Sequence, residues 1–62
     1  MATFPWTYKG ATFESKAGLR RAMTAGVANG MQYGVRNCID AACKDGILNN
    51  DERAELIKDL KL

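Results

Sequence analysis

The sequence predicts an α+β miniprotein built from an N-terminal hairpin, a long glycine-rich helix and a short C-terminal helix. Three observations carry that prediction. Phe4, Trp6 and Tyr8 alternate with Pro5, Thr7 and Lys9, the period of a strand. From Gly18 to Ala42 a small residue recurs every fourth position, at Gly18, Ala22, Gly26, Gly30, Gly34, Cys38 and Ala42. A large apolar residue follows each of the first six, from Leu19 through Met23, Val27, Met31 and Val35 to Ile39. On a helix, residues four apart are neighbours on one surface, so the repeat writes a groove beside a ridge. Finally, Asn49 stands three residues before Glu52, the spacing of a capping box.

The hairpin is expected over residues 3–14. Lys9-Gly10 is its turn, because glycine takes the positive φ of a tight reversal without steric cost. A two-residue loop sets Tyr8 opposite Ala11 and Trp6 opposite Phe13, which gathers Phe4, Trp6, Tyr8, Ala11 and Phe13 on one face. Pro5 has no N–H to donate and marks its strand as an edge.

Ser15 is a suitable N-cap for a helix beginning at Lys16. That helix is expected to span residues 16–44 and to stop at Asp45-Gly46. Asn29-Gly30 is the place where it would bend. The four-residue register nevertheless crosses this dipeptide unchanged, and neither Met31 nor Gln32 is a capping residue. Each interior glycine costs about 1 kcal/mol relative to alanine, so packing must hold the helix together. A repeat of four also departs from 3.6 residues per turn, and the groove winds by about 40° per block. No single straight neighbour covers it.

The last helix is expected over residues 50–61. Asp51 and Glu52 sit at its positive end and Lys58 and Lys61 at its negative end. Leu56, Ile57 and Leu60 form its apolar side.

The bulk numbers bound the function. Sixty-two residues, 47% hydrophobic and 26% charged, make one small globular domain over residues 1–62. Such a domain buries only about 60% of its unfolded surface and is marginal alone. Cys38 and Cys43, the only cysteines, face about 140° apart on a helix, which does not suit a bridge within the chain. With no histidine and no CxxC pair, no metal or cofactor is expected. A partner chain is therefore the expected source of extra stability. Free thiols, no basic-then-apolar leader and no apolar run long enough for a membrane point to the cytoplasm. Asn29, Gln32, Arg36, Asn37 and Asp40 likewise exclude a membrane role for the glycine row.

Catalytic chemistry has no visible carriers. The single serine is assigned as a cap, and no histidine exists to activate a nucleophile. Paired carboxylates such as Asp51 and Glu52 are explained by the helix dipole. The stretch Asp45-Gly46-Ile47-Leu48-Asn49-Asn50-Asp51-Glu52 resembles the second half of an EF-hand calcium loop. The leading ligand positions then fall on Ala41 and Cys43, which carry no hard oxygen. An Asp-Gly turn followed by an acidic, Glu-Arg-containing helix start is also similar to TerB-like helical domains, where it is structural.

Charge is unevenly spread. Residues 1–36 carry Lys9, Lys16, Arg20, Arg21 and Arg36 against Glu14 alone, while residues 37–62 carry four bases against six acids. This arrangement suits either two solvated faces or contacts with an anionic partner or between copies. The expected function is thus non-catalytic protein binding, with self-association as a homodimer through Gly26, Gly30, Gly34, Met31 and Tyr33. By size, and by what it lacks, the chain looks like small accessory proteins of phages and mobile elements that inhibit or redirect a host protein. The alternative is a DNA- or RNA-binding regulator gripping phosphates with Lys9, Lys16, Arg20 and Arg21.

Overall fold

The computed structural model of the chain describes residues 3–62, arranged as a two-stranded hairpin followed by three helices. Strands β1 (Trp6–Tyr8) and β2 (Ala11–Phe13) pair antiparallel, with Trp6 opposite Phe13, Thr7 opposite Thr12 and Tyr8 opposite Ala11. This is the register read from the alternation. Lys9 and Gly10 both turn with positive φ, 49° and 84°, the two-residue reversal whose twist matches the strands. The ladder is shorter than residues 3–14, and Pro5 falls just outside it, as its missing N–H requires. Trp6 is buried and stacks on both Tyr8 and Phe13, with ring centroids 5.6 and 5.8 Å away.

The helix expected over residues 16–44 is in fact two helices, α1 (Lys16–Ala28) and α2 (Gln32–Lys44). Ser15 caps the start of α1, its hydroxyl accepting from the Gly18 N–H at 3.1 Å. At the other end, Gly30 turns left-handed with φ +79°. The Met31 N–H then reaches back to the Gly26 carbonyl at 2.9 Å and the Gly30 N–H to the Val27 carbonyl at 3.0 Å. This pair of bonds is the Schellman ending, and it satisfies two carbonyls that would otherwise be orphaned. The reversal needs a residue free to take positive φ, and Asn29-Gly30 supplies it. A side-chain cap for the second helix was not required: Met31 stands at the N-cap of α2 with no side-chain hydrogen bond.

The reversal folds α2 against α1. A Cβ added at Gly26 would stand 2.7 Å from Cγ2 of Val35, so the small residue of one helix receives the large residue of the other. The repeat of four therefore encodes in part a contact between two helices of the same chain.

The Asp45-Gly46 stop repeats the Schellman ending: the Ile47 N–H donates to the Ala42 carbonyl at 2.8 Å, and Ile47 and Leu48 turn into the core. Helix α3 (Asn50–Asp59) begins with the expected capping box. The Glu52 N–H donates to the Asn49 side chain at 2.8 Å, and the Asn49 N–H donates to the Glu52 carboxylate at 3.0 Å. Leu19 and Ile39 are the largest fully buried side chains, surrounded by Met23, Val35, Cys38, Ala42, Leu48 and Leu56. Burial pushes the Cys38 thiol pKa up, and both cysteines are free. Among the described residues no helix is long and apolar enough to cross a membrane.

Candidate functional site

The hairpin is anchored at one end only. Trp6 sinks into the core, and its indole N–H donates to the Asp45 carboxylate at 3.0 Å, tying β1 to the far end of α2. Tyr8, beside the turn, and Phe13, opposite Trp6, are only half-buried. Between the hairpin and the α1–α2 pair lies an open cleft of about 300 Å³. Tyr8 and Phe13 form one wall, and Met23, Met31 and Val35 form the other. Among the described residues Ala22, Gly26 and Gly34 are small residues lining it, and Lys9 is its single charged one.

The residues expected to form an interface take three different positions. Gly26, Met31 and Gly34 line the cleft. Gly30 belongs to the α1–α2 turn, where a Cβ would meet nothing within 4 Å, so its reason is the backbone angle rather than a groove. Tyr33, 90% exposed, faces a separate depression beside Arg36 and Lys61. A continuous groove from Gly18 to Ala42 does not exist, because the chain reverses in its middle.

Gly26 and Gly34 also differ from each other. Gly26 is filled by Val35, whereas a Cβ at Gly34 would stand in open space. Met31 is 60% exposed at the cleft's edge. The cleft depends on the hairpin and both helices meeting, and its only local signature is an apolar residue placed directly after an Asn-Gly turn.

The four basic residues of the alternative reading line three different depressions. Lys16 pairs with Glu52 at 2.7 Å, and Arg20 pairs with Asp59 and lies 3.8 Å from Glu55. Lys9 lies over the Tyr8 ring, 5.5 Å from its centroid, and Arg21 borders a shallow surface along α1. The basic front and the acidic rear of the sequence thus meet inside one molecule, and Arg53 adds a further pair with Asp40 at 2.9 Å.

Two carboxylates of the calcium-loop resemblance are similarly engaged. Asp45 accepts from Trp6, while Glu52 caps α3 and pairs with Lys16. The bond from Lys16, then the Asn49 N–H, hold the Glu52 carboxyl below its ordinary pKa. Among the described residues no group of three or more His, Cys, Asp or Glu side chains is placed to hold a metal ion. Compared with protein-family models, curated proteins and solved structures, the chain matches none.

Proposed function

We propose that this chain is a non-catalytic protein-binding module whose partner seats an apolar side chain in the cleft between the hairpin and the α1–α2 pair. The observation that supports this reading is the uncovered apolar lining of the cleft, with Met31 60% exposed at its edge. A chain of this size has few apolar side chains to spare from its core, and a large one left in water at a concave surface marks a contact. An apolar groove that accepts the anchoring side chains of a partner helix or loop is a common mode of recognition.

The experiment compares the parent chain with Met31→Asp as immobilised baits, alongside sedimentation velocity over a wide concentration range. A protein retained in stoichiometric amount by the parent and released by Met31→Asp supports the reading. Equal retention by both overturns it. A concentration-dependent dimer abolished by Met31→Asp would make the partner a second copy. Retention of nucleic acid that falls steeply with salt, and equally for both baits, would favour the basic residues instead.

A further inference from the structure

Resting on the protein-binding reading of the cleft, we infer that its occupant is an apolar segment of another protein carrying a carboxylate beside its anchoring side chain. The carboxylate meets Lys9, and the anchor rests on the backbone of α2 at Gly34.

Charge selects the carboxylate. Among the described residues Lys9 is the only charged one lining the cleft, and none of the ion pairs includes it. Lys16 and Arg20, the other basic residues of the N-terminal half that face α3, are paired with it, whereas Lys9 has only the Tyr8 ring beneath its ammonium and no carboxylate. An apolar partner that brings an Asp or Glu to this rim satisfies the cation, and one that brings a Lys or Arg meets repulsion.

Local strain points to the same place. Lys9 holds φ +49°, a left-handed position that suits Asn, Asp or Gly in a two-residue hairpin turn; the other described non-glycine residue with positive φ, Lys61, lies past the end of α3 and outside the cleft. The Lys9 ammonium lies 5.5 Å from the Tyr8 ring centroid. Gly34 sits inside α2, where glycine weakens a helix, yet beyond its own turn of helix nothing lies within 4 Å of its missing Cβ. Gly26 has Val35 to explain it and Gly30 has its positive φ; Gly34 has neither. Residues that weaken the free chain without an internal reason are expected where stability was exchanged for binding. Lys9 and Gly34 share one cleft.

A second copy fits the charge pattern less well. Among the described residues the exposed large apolar ones are Met31 and Tyr33, and no Asp or Glu flanks either within five positions on either side.

The test is selection of displayed random peptides on the folded parent chain. The winners are then measured by fluorescence anisotropy against the parent, Lys9→Glu, Gly34→Ala and Gly34→Leu, with circular dichroism of each variant. The expected winners share a large apolar residue and a nearby Asp or Glu. Lys9→Glu is expected to weaken them by about fivefold or more, and selection on that variant should exchange the acid for Lys or Arg. Gly34→Leu should weaken them by about tenfold or more by filling the seat. Should Gly34→Leu misfold, Gly34→Ala decides, with a higher melting temperature together with weaker binding. Winners without a shared acid, or equally bound by Lys9→Glu, overturn the carboxylate and leave the protein-binding cleft standing. No enrichment, or winners indifferent to both Gly34 variants, overturns the cleft reading itself. A parent dimer dissolved by Gly34→Leu shows that a second copy covers the cleft and overturns this occupant.

Discussion

The side of the molecule closed by α3 and the side left open under the hairpin turn follow opposite rules. Where α3 docks, most local preferences agree with the fold, the exception being Lys61, which turns left-handed at φ 57° just past the end of the helix instead of extending it. Its N-terminus is capped reciprocally by Asn49 and Glu52, acids occupy its first turn and Lys58 its last, and Leu56 is buried. Lys16, Arg20 and Arg53 then rim the seam with ion pairs. Under the hairpin turn, local preferences are broken instead. Met31 starts α2 without capping it, Lys9 is held left-handed, and Gly34 weakens a helix with nothing beside it. Agreement across levels produces a stable unit, and the open side lacks that agreement.

The comparison breaks hardest on the closed side. Leu56→Ala empties a buried position beneath α3 and is expected to cost about 2–4 kcal/mol, measured by urea unfolding. In so small a domain that is a large part of the total.

Within the helix pair, the three glycines separate by sign. Gly26→Ala should destabilise by about 1–2 kcal/mol, because the new methyl meets Cγ2 of Val35, a side chain with little rotamer freedom. Gly30→Ala should also destabilise, by about 1 kcal/mol, through the left-handed backbone angle alone. Gly34→Ala should stabilise by up to about 1 kcal/mol. Thermal melts of the three variants check this order, and a destabilised Gly34→Ala would mean that the open side is as tightly packed as the closed one.

Met31→Asp is expected to stabilise by about 0.5–1 kcal/mol, since an acid at the start of α2 complements its dipole and exposed N–H groups. The same change should weaken partner binding. Stability rising while binding falls would sharpen the contrast between the two sides.

The smallest effect is in acid. Glu52 has a folded pKa below its ordinary value, so its contribution is fully present above the ordinary glutamate range. It is lost as pH falls through the lowered folded value. A melting-temperature series should show this acid loss in the parent and a shallower one in Glu52→Gln. Identical slopes would remove Glu52 from the closure of α3.

The hairpin register, the Ser15 cap, the Asp45-Gly46 stop and the Asn49–Glu52 box were all legible in the sequence. Each is settled by residues within a few positions of one another. The break at Gly30 was not, although Asn29-Gly30 was visible as the point of bending. A four-residue repeat is indifferent to reversal: the same small and large residues pack whether the helix continues or folds back on itself. Of the expected interface residues, Gly26, Met31 and Gly34 share the cleft, while Gly30 and Tyr33 lie outside it.

The sequence by itself therefore determined the fold class, the strand pairing and the helix ends that carry their own hydrogen-bonding partners. Only the tertiary structure decided which glycine is filled, which turns the chain and which is left bare. It also decided that the basic front is met by the acidic rear, through Lys16–Glu52 and Arg20–Asp59, pairs 36 and 39 residues apart. Local chemistry acts over one turn of helix or one hairpin, where neighbours are known from their spacing. A cleft is bounded by elements distant in the chain, and it exists only once the Gly30 reversal and the Trp6 anchor have brought those elements together.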